Sequence, residues 1–382
     1  MSRSVAIVGT RGYPSYYGGF ETAVRRLAPY LVEHGWDVTV YGRPETMKLD
    51  DPGRDPRVHV RTTSGLNSRS LSTLSYGLTA AMDVARRKPD VALVMNAANG
   101  YWLPILRSAG IPTLVNVDGI EWARAKWGRF AKSVFYNGAR MTARYGDRMV
   151  YDAHAIAAYW RQEFGLDGDF IPYGGDVPEP LELDEDGLRS RDYALVVARF
   201  VPENTVPEFL SAARRISQRA DVVIVGSSGF GGELDDAARS LAAENPRVHW
   251  LGHVSDDRRL FSLWQHAGAY FHGHSVGGTN PALVQAMACG APTVARDTVY
   301  NREVLGEAAL FTEPQPDAIA DAVIDLLDDP ERQRQLSTAA KTRAVTDYSW
   351  AGVCQRYEDA LLRLVGEKAA RRPEEKVLVR HE

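Results

Sequence analysis

The chain has 382 residues, 45% of them hydrophobic and 25% charged, with a formal net charge of −4. That length suits two domains, each able to bury a core, and the mildly acidic balance excludes a globally basic, nucleic-acid-binding surface. With only two cysteines, Cys289 and Cys354, a disulfide framework and a multi-cysteine metal site are excluded, and a reducing cytoplasm is expected.

The N-terminus opens on Val5–Val8, a short apolar run with the length of a strand and not of a signal peptide. Further buried-strand candidates follow at Asp37–Tyr41, Val58–Arg61, Val91–Met95, Thr113–Val117 and Arg148–Tyr151, separated by helical patterns such as Glu21–His34 and Leu71–Arg87. This alternation predicts a parallel sheet covered by helices. Tyr173–Gly187 carries Pro, Gly and acidic residues without periodicity and reads as a linker, placed at 173–190. The rhythm then repeats, with strands at Ala194–Ala198, Val222–Val225, Val248–Leu251, Ala269–His272, Thr293–Ala295 and Ala309–Phe311. Helices are expected at Val206–Arg219, Leu234–Glu244, Asp257–His266, Pro281–Cys289 and Asp317–Leu327. The domains are therefore 1–172 and 191–345, with a helix over 346–366 returning to the first and a charged, frayed tail over 367–382. Two open α/β sheets of this kind are expected to face each other across a cleft lined by the carboxyl ends of their strands. No segment reaches the ~20 apolar residues of a membrane span.

The loops at those strand ends carry the chemistry. The first, Gly9–Thr22, is too long for a dinucleotide fingerprint, and no acidic residue follows Tyr41-Gly42-Arg43 to hold a ribose, which disfavours NAD. Its Gly18-Gly19 pair before a helix either lets backbone N–H groups approach an anion or forms an ordinary turn. After Thr113–Val117, Asp118 and Glu121 offer two carboxylates at the cleft edge: Asp118 as a proton acceptor or sugar ligand, or as an N-cap with Glu121 completing a capping box. Trp122–Asp147 reads as an amphipathic helix or helix pair. Trp127, Phe130, Val134, Met141 and Tyr145 form a stripe expected to face the core, while Arg124, Lys126, Arg129, Lys132, Arg140 and Arg144 form a basic face open to anionic lipid.

In the second half, Arg199 at a strand's carboxyl end suits bidentate phosphate binding. The strongest pattern is Phe271–Gln285, where a buried strand, Gly277-Gly278, the cap Asn280 and Pro281 place a helix N-terminus for a diphosphate. Gln285 lies one turn in, within reach of a ribose or sugar hydroxyl. His272 and His274 lack a third metal ligand, and a structural or sugar-contacting role is expected. Cys289, in an apolar run, reads as a buried inert thiol.

Together these residues resemble the GT4 family of retaining GT-B glycosyltransferases, and more narrowly its rhamnosyltransferase-like branch in bacterial polysaccharide assembly. The likeness rests on Ile7–Pro14, Tyr17–Thr22, Asn116–Trp122 with Ala125-Lys126-Trp127, Ile171–Gly174, Arg199 with Pro202-Glu203-Asn204, His272–His274, Gly277–Pro281 and Ala286–Gly290. It implies two Rossmann-like domains. The second would hold a nucleoside-diphosphate sugar through Arg199, Asn204, His274, Ser275, Gly277, Gly278, Thr279, Asn280 and Gln285, with Gly18 and Gly19 completing the donor site. Asp118, Gly19 and Arg199 are the implied catalytic positions, and Asn99, Glu121 and Trp122 the acceptor side. No metal or other cofactor is implied. The expected partners are the donor, an acceptor saccharide, lipid-linked saccharide or secondary metabolite, and the inner face of the membrane as a peripheral contact.

The chain departs from the family at two glutamates. One falls on Ser275 or Gly277 and the other on Gln285, and Asn204 stands where many relatives have lysine. Two further readings follow: a sugar-nucleotide-binding partner that has lost catalysis, and a sugar-nucleotide epimerase.

Overall fold

The computed structural model describes residues 3–16, 18–46, 50–66, 72–124, 127–229 and 231–378. The chain divides into two compact units, Met1–Pro172 with Ala351–Glu382, and Tyr173–Trp350.

The first unit contains β1 (Arg3–Val8), α1 (Gly19–Glu33), β2 (Trp36–Gly42), β3 (His59–Thr62), α2 (Ser72–Arg87), β4 (Val91–Met95), α3 (Leu103–Ser108), β5 (Thr113–Asn116), α4 (Arg129–Tyr145), β6 (Arg148–Tyr151), α5 (His154–Phe164) and β7 (Gly168–Phe170). Its sheet is parallel in the order β3-β2-β1-β4-β5-β6-β7. All five residues of β4 are buried, as expected of a strand covered by helices on both faces. The strand order reverses between β1 and β4, with Val5 opposite Val91 and Val8 opposite Val94. Sheets of this kind take ligands at that reversal. Gly9 follows β1 with φ +88°, and a Cβ there would lie 2.1 Å from the Met95 carbonyl oxygen and 2.7 Å from Asn99 Nδ2. Only glycine fits so close a joint.

The second unit contains β8 (Tyr193–Val197), α6 (Val206–Ile216), β9 (Asp221–Val225), α7 (Glu233–Glu244), β10 (Val248–Gly252), α8 (Asp257–His266), β11 (Ala269–His272), α9 (Pro281–Cys289), β12 (Thr293–Arg296), α10 (Val299–Leu305), β13 (Ala309–Thr312), α11 (Pro316–Leu327) and α12 (Pro330–Asp347). Its parallel sheet runs β10-β9-β8-β11-β12-β13. Side chains alternate across it: Ala194, Val196, Val222, Ile224 and Phe271 enter one core, and Tyr193, Leu195, Val223, Val225 and Tyr270 the other. Both faces are thus sealed, which leaves strand ends and loops as the places for ligands.

The last helix, α13 (Trp350–Leu378), belongs mainly to the first unit. Trp36 Nε1 donates to Glu358 Oε1 (3.0 Å), Asn116 Nδ2 to Tyr357 Oη (2.7 Å), and Arg363 Nη2 to Asp169 Oδ1 (3.0 Å). The helix continues through most of the stretch 367–382 expected to fray, and residues 379–382 lie outside the described residues. The linker region has no helix or strand, yet its backbone is tied to the second unit. Leu181 N donates to Gln265 Oε1 (2.8 Å), Ser262 Oγ to the Glu182 carbonyl (2.6 Å), and Gly175 N to the Tyr348 carbonyl (2.9 Å).

Candidate functional site

The second sheet reverses its order between β8 and β11. Two of the singled-out loops, Arg199 after β8 and His272–Asn280 after β11, therefore emerge side by side from neighbouring strands, with Phe271 opposite Val196. Arg199 is exposed and forms no ion pair among the described residues. Its carbonyl accepts a 2.9 Å bond from Asn204 Nδ2, so buried Asn204 fixes the backbone that carries the guanidinium. Gly277 has φ +111°, a conformation L side chains rarely adopt. Among the described residues, the Gly277 and Gly278 amides have no protein acceptor. A cation and two free N–H groups at a strand reversal are the kind of donors that attract an anion by ordinary electrostatics.

Asn280 caps α9 as expected, its Oδ1 accepting from Ala282 N (2.9 Å) and Leu283 N (3.4 Å), with Pro281 in the first turn. This narrows the expectation of a helix N-terminus for a diphosphate: the cap occupies those two N–H groups, and of the nearby amides those of the glycine turn remain. Gln285 is turned to the chain itself. Its Oε1 accepts from Asp176 N (3.0 Å) and its Nε2 donates to the Asp176 carbonyl (2.7 Å), pairing the amide with one residue's backbone. Ser275 is similarly engaged: its N (2.9 Å) and Oγ (2.8 Å) both donate to the Glu203 carbonyl. Thr279 is buried beside the cap.

Sequence reasoning missed the residues that hold this turn. Thr205 Oγ1 donates to the Gly273 carbonyl (2.5 Å) and accepts from Arg296 Nη1 (3.0 Å). Asn301 Nδ2 donates to the carbonyls of His274 (2.9 Å) and Arg296 (2.8 Å). The place of Arg296 at the end of β12 was the one available signal. Glu203 enters the sequence reading only within the motif Pro202-Glu203-Asn204, with no role of its own, and its Oε1 is buried without a hydrogen-bond partner next to the turn.

The rings of His272 and His274 are stacked, 4.4 Å apart at 10°. His272 is buried, its Nδ1 is 3.0 Å from Tyr270 Oη, and its Nε2 has no partner. No group of three potential metal ligands occurs among the described residues. Burial, and secondarily His274, hold the His272 pKa well below its ordinary value. An unfolded histidine takes up a proton below about pH 6.5 while the folded one stays neutral, so the unfolded state binds more protons there. Stability is then full above about pH 6.5 and is lost as pH falls toward the depressed folded pKa. The contribution approaches ~1.4 kcal/mol per pH unit. Urea unfolding at pH 7.5, 6.5 and 5.5 should show this slope, and His272→Gln should flatten it. Cys289 and Cys354 are buried, and burial pushes both thiols up to about 12, in keeping with inert packing groups.

In the first unit, Gly18 and Gly19 start α1 without a side-chain cap; Tyr17 beside them lies outside the described residues. Asp118 adopts φ +62°, and Asn116 Oδ1 accepts its N–H (3.0 Å). It does not cap the short 3-10 turn at Glu121–Ala123, whose N-cap is Ile120. The capping-box alternative is therefore corrected: the left-handed backbone turns Asp118 away from the cap position. Glu121 instead pairs with Arg124 Nε (2.7 Å) and accepts from Trp127 Nε1 (2.9 Å). Trp122 donates to Tyr159 Oη (3.0 Å) and packs edge-on against Tyr136, Trp160 and Phe164. Asn99 is buried at the β1–β4 joint, Nδ2 bonded to the Met95 carbonyl (2.8 Å) and Oδ1 unpartnered.

The stripe expected to face the core does not. On α4 the buried residues are Gly138, Ala139 and Thr142, packed on the 97–102 turn, where a Cβ on Gly100 would lie 2.2 Å from the Gly138 carbonyl oxygen. Close backbone approach selects small residues, so Phe130 is left 83% exposed and Val134, Met141 and Tyr145 half-buried. Ala125 and Lys126 lie outside the described residues.

With the geometry set, two family models account for most of the chain. The glycosyl transferase 4-like domain matches residues 18–174, and glycosyl transferases group 1 matches residues 184–343. The two halves of the chain thus each match a glycosyltransferase domain model, on a fold of the GT-B type. Sucrose-phosphate synthase from Thermosynechococcus elongatus has the same fold, with a TM-score of 0.79 at 19% identity over 96% of this chain and 100% of that one. Anabaena HepE in complex with UDP follows at 0.73 and 17%, over 94% and 100%. The chain is 26% identical to O-antigen chain mannosyltransferase B of Escherichia coli over 190 residues, 48% of each protein. It is also 26% identical to a GDP-mannose-dependent monoacylated alpha-(1-6)-phosphatidylinositol monomannoside mannosyltransferase of Corynebacterium glutamicum, over 56% of this chain and 62% of that protein. The first of these matches thus spans about half the relative's length. Among the described residues no helix is long and apolar enough to cross a membrane.

Proposed function

We propose that the chain is a retaining, metal-independent glycosyltransferase. It would move a hexose or deoxyhexose, rhamnose included, from a nucleoside diphosphate to a hydroxyl of a saccharide, lipid-linked saccharide or secondary metabolite. The observation that carries this is the unpaired Arg199 beside the free Gly277 and Gly278 amides at the reversal of the second sheet. Fixed donors of this kind stabilise a departing diphosphate without reorganising, the task a metal otherwise performs. The reading is supported by HepE, solved with UDP and with UDP-glucose. Asn204, His274, Ser275, Thr279, Asn280 and Gln285 shape the donor pocket, several of them through the backbone bonds described above. Glu203, with its unpartnered oxygen, would accept from a donor hydroxyl. In the first unit, Gly18, Gly19 and Asp118 are assigned to the reaction and Asn99, Glu121 and Trp122 to the acceptor. Exposed Phe130 among Arg129, Lys132, Arg140 and Arg144 supports peripheral contact with an anionic cytoplasmic membrane face.

The test is calorimetry with a panel of uridine, guanosine, adenosine and thymidine diphosphates and their sugars, first with EDTA and then with magnesium. One ligand bound equally well in both conditions is expected, and turnover of its sugar on a saccharide acceptor completes the assignment. No binding across the panel overturns the reading. Binding without any transfer points to the non-catalytic sugar-nucleotide protein, which the turning of Ser275 and Gln285 onto the chain's own backbone favours.

A further inference from the structure

The first unit contains a pocket that none of these roles uses. It lies at the carboxyl ends of β1, β2 and β3 against α2, a small niche of about 20 Å³ that opens to solvent, and its polar wall is Thr10, Arg43, Thr63 and Tyr76. Arg43 packs its guanidinium over the Tyr76 ring, 5.1 Å from the centroid. That contact orients the planar group but leaves its N–H donors unused. The Nε is fully buried with no hydrogen-bond partner, and Arg43 forms no ion pair among the described residues.

The acids nearby are committed elsewhere. Glu21 Oε1 accepts the Arg11 amide (3.0 Å), and Glu45 accepts the Tyr76 hydroxyl (3.3 Å). Both attract the guanidinium electrostatically without meeting it, while burial and the neighbouring Arg11 hold its pKa down. The hydroxyls on the wall are loosely held: Thr10 Oγ1 reaches the Tyr41 carbonyl at 3.3 Å and Thr63 Oγ1 the Gly42 carbonyl at 3.4 Å. Hydroxyl bonds are normally about 2.7–2.8 Å, so both can turn to a better acceptor. A half-buried cation with no ion-pair partner among the described residues, beside two hydroxyls held by long bonds, matches an oxyanion.

We propose that this niche takes the phosphate or carboxylate of an acidic saccharide on Arg43, with Thr10 and Thr63 as supporting donors and the sugar ring outside it in the solvent-facing opening. That the saccharide is the acceptor rests on the proposed function; that the anion binds does not.

The test is a titration, by calorimetry and ligand-observed NMR at fixed salt, with glucose 1-phosphate, glucuronate and glucose. It is run on the whole chain and on Arg43→Gln, each with and without a saturating nucleoside diphosphate. At least one acid should bind, glucose much more weakly, and Arg43→Gln should lose at least about tenfold in affinity for the acid while keeping its nucleoside-diphosphate affinity. Whichever acid binds identifies phosphate or carboxylate as the group. Equal binding to chain and variant, displacement of the acid by the nucleoside diphosphate, or no preference over glucose each overturns the proposal. If Arg43→Gln fails to fold, Arg43→Lys and Thr63→Val carry the same comparison. Failure of the glycosyltransferase reading shows separately, as absent nucleoside-diphosphate binding.

Discussion

Arg199→Ala should weaken binding of the nucleoside-diphosphate sugar and slow transfer, with turnover falling by on the order of 10²–10³-fold, the usual effect of removing one preorganised donor from developing negative charge. The argument is local. Arg199 is exposed, so its removal leaves no cavity, and no ion pair is broken among the described residues. The Asn204 bond goes to the Arg199 carbonyl and survives the change. Stability should therefore stay within about 0.5 kcal/mol of the parent, as for other surface changes. Arg199→Lys should recover part of the affinity, because it restores charge but not the planar fork. Calorimetry and steady-state rates on the three proteins check this. Unchanged affinity for the diphosphate in Arg199→Ala would show that the anion sits elsewhere.

Gly273→Ala should have the opposite signature, losing stability and donor binding together. Gly273 is buried between two anchored segments, and a Cβ would stand 2.5 Å from the Asn204 carbonyl oxygen, 2.9 Å from Phe271 Cε1 and 2.9 Å from Thr205 Cβ. The first is backbone and the third belongs to a residue bonded to Gly273 itself, so neither moves cheaply. Overpacking of this kind costs about 1–3 kcal/mol. In a unit of this size that lowers the melting temperature by roughly 2–4 °C per kcal/mol. Because Thr205, Ser275 and Asn301 hold the turn through the same segment, the strain should also displace the Gly277 and Gly278 amides. Thermal melts and diphosphate titration on the variant check both halves, and a variant with parental stability and affinity would contradict the described close approach.

Much of this was legible in the chain, and particular residues show why. The strand Val91–Met95 is apolar at every position because a parallel strand is covered on both faces, so a continuous run identifies it without knowledge of its neighbours. Asn280 and Pro281 announce a helix start because both act on the next few residues. By contrast β7, Gly168-Asp169-Phe170, is short and polar at its centre, and it pairs only because β6 offers an edge. On α4 the apolar stripe pointed the wrong way because the spacing of large residues says nothing of where backbones approach closely. Gly138 and Thr142 decide that, and their partner Gly100 is far away in the chain.

The sequence by itself determined two α/β halves, the strand ends that carry chemistry and the glycines and caps that shape their loops, since all of these follow from local sterics and burial. Only the tertiary structure decided which polar groups are already spent. Gln285 faces Asp176, 109 positions away, Ser275 rests on Glu203, and Arg296 reaches Thr205. A hydrogen bond between distant residues leaves no local signature, because either partner would have looked the same with water in the other's place.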